Sequence, residues 1–129
     1  MAAPVPGDFD CEEVYKRQLT ENDMKPEERS RLYIKKSAAH IICPEAFASP
    51  EETYIRALPF YDAALNHLPM VFRRTGKRCY LIGGWGDYVE ANNLGPGDNV
   101  RIHELKHKSG NGERFFMIGR VQVMGALFG

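Results

Sequence analysis

One stretch constrains this chain more than any other. It runs Gly84-Trp85-Gly86-Asp87-Tyr88-Val89-Glu90-Ala91-Asn92-Asn93-Leu94-Gly95-Pro96-Gly97-Asp98 and reads as a short amphipathic helix closed by a tight turn. Trp85, Tyr88, Val89 and Asn92 fall on one helical face, and Gly83, Gly84 and Gly86 punctuate its entry. Asn93 tolerates the left-handed conformation of a helix cap, and Leu94 can fold back onto the helix. Gly95-Pro96-Gly97-Asp98 cannot continue it. Val100-Arg101-Ile102-His103-Glu104-Leu105 then alternates toward a strand. Tryptophan occurs once in the chain, and it sits in this helix.

Elsewhere the pattern is one of short strands. Glu13 to Leu19 reads as the first, with Tyr15 or Val14 alternating inward with Leu19, and Arg31-Leu32-Tyr33-Ile34 as the second, with Leu32 and Ile34 inward. Thr20-Glu21-Asn22-Asp23 is a turn by composition, and residues 25–30 form a polar excursion. Lys35 to Ile42 predicts a short helix with Ala38, Ile41 and Ile42 on one face, stopped by Pro44, and residues 45–52 a loop. Residues 53–58 and 63–68 are weaker strand candidates, the latter also compatible with helix, separated by Pro59-Phe60-Tyr61-Asp62. Residues 69–74 and 78–82 make a hairpin around Thr75-Gly76-Lys77, and strands over 99–106 and 114–123 flank Asn111-Gly112, a strong hairpin turn. The expected fold is mainly β, a small open barrel of about seven strands with two short helices. Residues 1–12, rich in Pro, Gly and acid, read as a mobile tail, 13–123 as one domain and 124–129 as a C-terminal tail.

At 129 residues there is room for one core. No apolar run is long enough to span a membrane. Cys11, Cys43 and Cys79 are odd in number and widely spaced, which favours free thiols over a disulfide framework. Charge totals cancel, with 17 basic and 17 acidic residues, yet their distribution does not. Residues 1–15 hold Asp8, Asp10, Glu12 and Glu13 and no cation, whereas residues 69–82 hold Arg73, Arg74, Lys77 and Arg78 and no acid. Segment 16–36 carries seven basic residues against four acidic ones. A partner feels the charge that faces it rather than the total.

The helix also resembles the signature Gly-Trp-x-x-Phe/Tyr-Val-x-x-Asn-x-Leu-x-x-Gly-Asp of the plant B3 DNA-binding domain. Two further blocks are similar to that family in the same order: Tyr15-Lys16-Arg17-Gln18-Leu19-Thr20-Glu21-Asn22-Asp23-Met24 and Arg31-Leu32-Tyr33-Ile34-Lys35-Lys36-Ser37-Ala38-Ala39. Met70-Val71-Phe72-Arg73 matches the family's Trp-x-Phe-Arg strand, and the resemblance covers roughly residues 14–121. Asn22, Lys35 and Met70 stand where the family commonly has serine, proline and tryptophan.

The resemblance implies an open pseudobarrel whose N-terminal and C-terminal arms straddle the major groove of double-stranded DNA. Carried over by position, the arms are Thr20 to Arg31 and Arg73 to Arg78. The implied contacts are Thr20, Asn22, Lys25, Arg29 and Arg31 on one side and Arg73, Arg74, Lys77 and Arg78 on the other. The chemistry suits those residue types: arginine's fork matches guanine O6 and N7, and lysine serves as a point charge on phosphate. Asp23 can equally cap its turn, and Arg31 can pair with a neighbouring acid. The resemblance further implies a nuclear regulator of transcription in a plant. The competing expectation is a protein-interaction module that kept the barrel and lost tight DNA binding, given the zero net charge and Glu27 and Glu28 in one arm. Catalysis, a metal and a cofactor are not expected. His40, His67, His103 and His107 are scattered, the cysteines lack zinc spacing, and Gly83-Gly84-Trp85-Gly86 lacks the lysine and hydroxyl of a phosphate loop.

Overall fold

In the computed structural model, which describes residues 4–28 and 30–120, the period-two alternation read above becomes two sheets facing one another. Nine strands and three helices are present among the described residues. The first sheet has the order β1-β8-β9-β4-β5, built from β1 (Phe9–Gln18), β8 (Asn99–His107), β9 (Arg114–Gly119), β4 (Phe60–Tyr61) and β5 (His67–Leu68). The second has the order β2-β7-β6-β3, from β2 (Leu32–Ile34), β7 (Arg78–Gly83), β6 (Met70–Thr75) and β3 (Thr53–Ala57). The sheets do not close on each other, as an open barrel requires. Helices α1 (Lys36–Ile42), α2 (Glu45–Ala48) and α3 (Trp85–Ala91) lie in the connections.

Alternate residues of each strand fill the space between the sheets: Leu32 and Ile34, Met70 and Phe72, Cys79 and Leu81, Val100 and Ile102, Phe116 and Ile118. Trp85, Tyr88, Val89 and Leu94 join them from the signature helix. Its turn is as expected: Asn93 takes φ 50 and the Leu94 amide returns to the Val89 carbonyl. Entry is just as constrained. Gly83 has φ 73, and a Cβ there would lie 2.6 Å from the Pro69 carbonyl oxygen.

Several expectations are corrected. β1 begins at Phe9 rather than Glu13, so residues 9–12 are strand and not tail, because Phe9 is buried in a second small core with Tyr61, Leu105, Phe115 and Met117. A bulge between Glu13 and Tyr15 lets Tyr15 turn inward and leaves Val14 as the extra residue. Phe60-Tyr61 forms a strand parallel to β9, while 63–66 is a turn in which Asp62 accepts from the Ala64 and Asn66 amides. Residues 45–52 contain α2, so there are three helices rather than two. On α1 the buried face is Ala38, Ala39 and Ile42, and Ile41 is exposed. The expected C-terminal tail 124–129, and the last residues of the strand expected over 114–123, lie outside the described residues.

Among the described residues, one buried ring is enclosed with both of its nitrogens lacking a hydrogen bond. His103 on β8 is 1% exposed, and neither ring nitrogen has a hydrogen bond. Burial pushes its imidazole below the ordinary histidine value, the Glu13 carboxylate opposing this and Arg101 reinforcing it. The unfolded chain binds that proton near pH 6.5 and the folded chain only at lower pH. Its contribution to stability is therefore fully present above about pH 6.5 and is lost as pH falls toward the folded value. We expect the urea midpoint to fall between about pH 7 and pH 5, and His103→Gln to flatten that dependence. Equal slopes for the two proteins would reject the assignment.

Candidate nucleic-acid interface

The C-terminal arm belongs to the four-stranded sheet and the N-terminal arm runs into it from β1, so the spacing of the two follows from its register. β2 pairs with β7 as Leu32↔Leu81, Tyr33↔Tyr80 and Ile34↔Cys79. β7 pairs with β6 as Tyr80↔Arg73 and Arg78↔Thr75, and β6 with β3 as Arg73↔Ile55. With Leu32, Leu81 and Phe72 inward, the outer face carries a row of Tyr33, Tyr80, Arg73 and Ile55. Continuing the β2–β7 register sets Arg31 level with Ile82 and Lys35 level with Arg78. Arg31, where the N-terminal arm ends, and Arg78, in the C-terminal arm, thus stand at opposite ends of the β2–β7 pair. Four residues at about 3.3 Å each separate the two by about 13 Å, against a major groove about 12 Å wide.

The C-terminal arm is the β6–β7 hairpin. Thr75 pairs with Arg78 across a turn in which Gly76 has φ 60, a sign a two-residue hairpin turn takes from glycine. Lys77 and Arg78 stand exposed at its tip. Arg73, half-buried, lies over the Tyr80 ring with Cζ 5.8 Å from its centroid.

Arg74 corrects the sequence expectation. Adjacent strand residues point to opposite faces, so when Arg73 looks outward Arg74 must look inward. The residue is 7% exposed, and its guanidinium donates to the carbonyls of Ala46 (2.8 Å), Glu51 (2.6 Å), Gly76 (2.8 Å) and Glu52 (3.4 Å). It ties the hairpin tip to α2 and the loop before β3 instead of reaching outward.

The N-terminal arm carries its own counter-charges. Arg31 stacks on Tyr80 at 4.7 Å and pairs with Glu28, Nη2 to Oε2 2.9 Å. Asp23 caps the arm's first turn, accepting from the Thr20 amide (2.8 Å) and hydroxyl (3.1 Å), while Arg17 donates to its other oxygen at 2.7 Å. Burial works against the Asp23 charge, but the Arg17 and Thr20 bonds outweigh it and hold the carboxyl below its ordinary value. Thr20, Asn22 and Lys25 are exposed. Arg29 lies outside the described residues.

Among the described residues, Lys25, Arg73, Lys77 and Arg78 make no ion pair, whereas Arg31 and Arg17 do. The structure also brings in residues that the sequence reading passed over. Tyr33 and Tyr80 meet edge-to-face at 6.0 Å, and Arg17 lies over Tyr33 at 5.6 Å. The inward assignment of Leu32 and Ile34 already implied an outward Tyr33, so that signal was present. Ile55 is 60% exposed beside Arg73, and no motif marked it.

The solved structures that share this architecture include two complexes with DNA. One is the complex of the Arabidopsis thaliana transcription factor LEC2 with DNA, with a TM-score of 0.62 and 19% identity over 89% of this chain and 99% of that one. The other is an Arabidopsis FUS3–DNA complex, with a TM-score of 0.54 and 17% identity over 86% of this chain and 100% of that one. At these identities the likeness is one of fold, and the chain has the open pseudobarrel that the B3 resemblance implied. Comparison with protein-family models gave no match, and comparison with curated proteins gave none.

Proposed function

We propose that this protein binds double-stranded DNA in the major groove, with sequence preference, as a nuclear regulator of transcription in a plant. The observation that carries the reading is the β2–β7 register, which sets Arg31 and Arg78, one from each arm, about one groove width apart along the sheet. The complexes of LEC2 and FUS3 with DNA, which have this fold, support it. In this reading Lys25 and Lys77 meet phosphate, while Arg73 and Arg78 reach base edges or phosphate. Thr20, Asn22 and Arg31 contribute from the N-terminal arm, Arg31 after exchanging Glu28 for the nucleic acid. Arg29 belongs to the same arm. Arg74 is held by backbone carbonyls and does not reach the groove from the outer face of the sheet.

The four arm cations that lack a carboxylate partner among the described residues imply a slope of log K against log salt of roughly −4. A gel shift on mixed duplexes over a salt series tests this. Joint Arg73→Ala and Arg78→Ala replacement should abolish the shift at moderate salt and reduce the slope by about 2, with an unchanged circular dichroism spectrum. Selection from a random duplex pool then tests sequence preference.

A protein-interaction module is the second reading. It is favoured by the internal pairing of Arg17 with Asp23 and of Arg31 with Glu28, which neutralises one cation of the N-terminal arm and one on the adjoining strand within the protein. Absence of any shift at low salt would decide for it.

A further inference from the structure

We propose that the cavity beside the tip of the β6–β7 hairpin, on its α1–α2 side, is a seat for a phosphate group, occupied by a backbone phosphate of the bound duplex. The inference rests on the DNA-binding reading and adds to the C-terminal arm two groups from outside both arms, Lys36 and Ser49. The cavity has a volume of about 180 Å³ and is lined by Lys36, Phe47, Ser49, Arg74, Gly76 and Lys77. That is several times the share of one water molecule, about 30 Å³ in the liquid, so a phosphate group fits.

Charge is the reason to assign it to an anion. Three lining residues are cationic and none is acidic. Arg74 is the telling one. Four of its five N–H donors go to carbonyl oxygens, which satisfy hydrogen bonds but do not cancel a charge. Among the described residues no carboxylate pairs with it, and none pairs with Lys36 or Lys77. Glu52 reaches toward Gly76, within 3.3 Å of where a Cβ would stand, but does not line the cavity. A buried guanidinium without a counter-ion is costly, and two further ammonium groups at the same cavity raise the local potential. An oxyanion relieves all three. The Ser49 hydroxyl at the wall offers an uncharged donor to the same group.

Position connects the seat to DNA. The cavity shares Gly76 and Lys77 with the hairpin tip, and Lys36 follows Lys35, which lies level with Arg78. A duplex whose groove edge meets Lys77 and Arg78 therefore passes its backbone beside the cavity.

The experiment has two arms. In the first, the DNA salt slope is measured for Lys36→Gln and for Lys108→Gln, a charge control in the β8–β9 loop. Lys36→Gln should reduce the slope by about 0.9, and Lys108→Gln should leave it unchanged. In the second, inorganic phosphate is titrated into the intact protein without DNA and followed by amide chemical shifts. Saturable shifts should appear at Ser49, Gly76 and Lys77 and vanish in the Lys36→Gln, Lys77→Gln double variant. Phosphate-dependent shifts with an unchanged DNA slope would assign the seat to a free phosphate compound and overturn the backbone assignment. No shifts and an unchanged slope would remove the seat altogether. Loss of all DNA binding by the wild type, with the phosphate shifts intact, would reject the DNA reading while leaving an anion site.

Discussion

Replacing Arg74 with alanine is expected to lower the stability of this domain by about 3–5 kcal/mol, although no carboxylate partner is lost. The guanidinium holds four carbonyls, those of Ala46, Glu51, Glu52 and Gly76, from three separate segments. Truncation leaves those acceptors facing a cavity, each without its bond. Arg74→Lys should recover only part of the loss, because an ammonium cannot spread planar donors over the same carbonyls. Urea midpoints for the three proteins measure this. The Gly76 amide, which donates to the Glu52 carbonyl at 2.9 Å, should lose hydrogen-exchange protection first. A midpoint within experimental error of the wild type would mean that the hairpin is held by its strand pairing alone. The effect bears on function because the same guanidinium orients the tip that presents Lys77 and Arg78.

The second large effect is expected from Trp85→Ala, again about 3–5 kcal/mol. Trp85 is 1% exposed and lies against Tyr88, with ring centroids 5.9 Å apart. It anchors a helix of seven residues, too short to persist on its own hydrogen bonds. The neighbouring backbone cannot follow a shrinking core, since Gly83 and Gly84 already sit against Pro69. A cavity therefore remains and adds to the lost transfer energy. As the sole tryptophan disappears, unfolding must be followed by far-UV circular dichroism. Trp85→Phe should cost clearly less. If both variants matched the wild type, the signature helix would not be part of the cooperative core.

How much of this was readable beforehand differs by element. The β6–β7 hairpin, α3 with its Asn93 cap and the long strand β8 were legible because each is specified by neighbours in sequence: period, turn dipeptide or cap. Strand β4 was not, since two residues between Pro59 and Asp62 carry no period, and their assignment comes from pairing with β9 far along the chain. Phe9 to Glu12 misled for a related reason. Their composition is that of a tail, and only the surface offered by Tyr61, Leu105 and Phe115 makes them strand.

The candidate site shows the same division. Local chemistry alone concentrated cations around positions 25–31 and 73–78 and supplied the turn residues that expose them. Alternation also determined that Arg73 and Arg74 must part company, because successive strand residues face opposite ways. Which of the two looks outward depended on Phe72 and Leu81 taking the inner face. Whether the arms share a side depended on β2 pairing with β7, and whether Arg31 is free depended on Glu28 reaching it. Those outcomes are set by contacts between segments distant in the chain, or by side-chain placement. Composition and period carry no record of either.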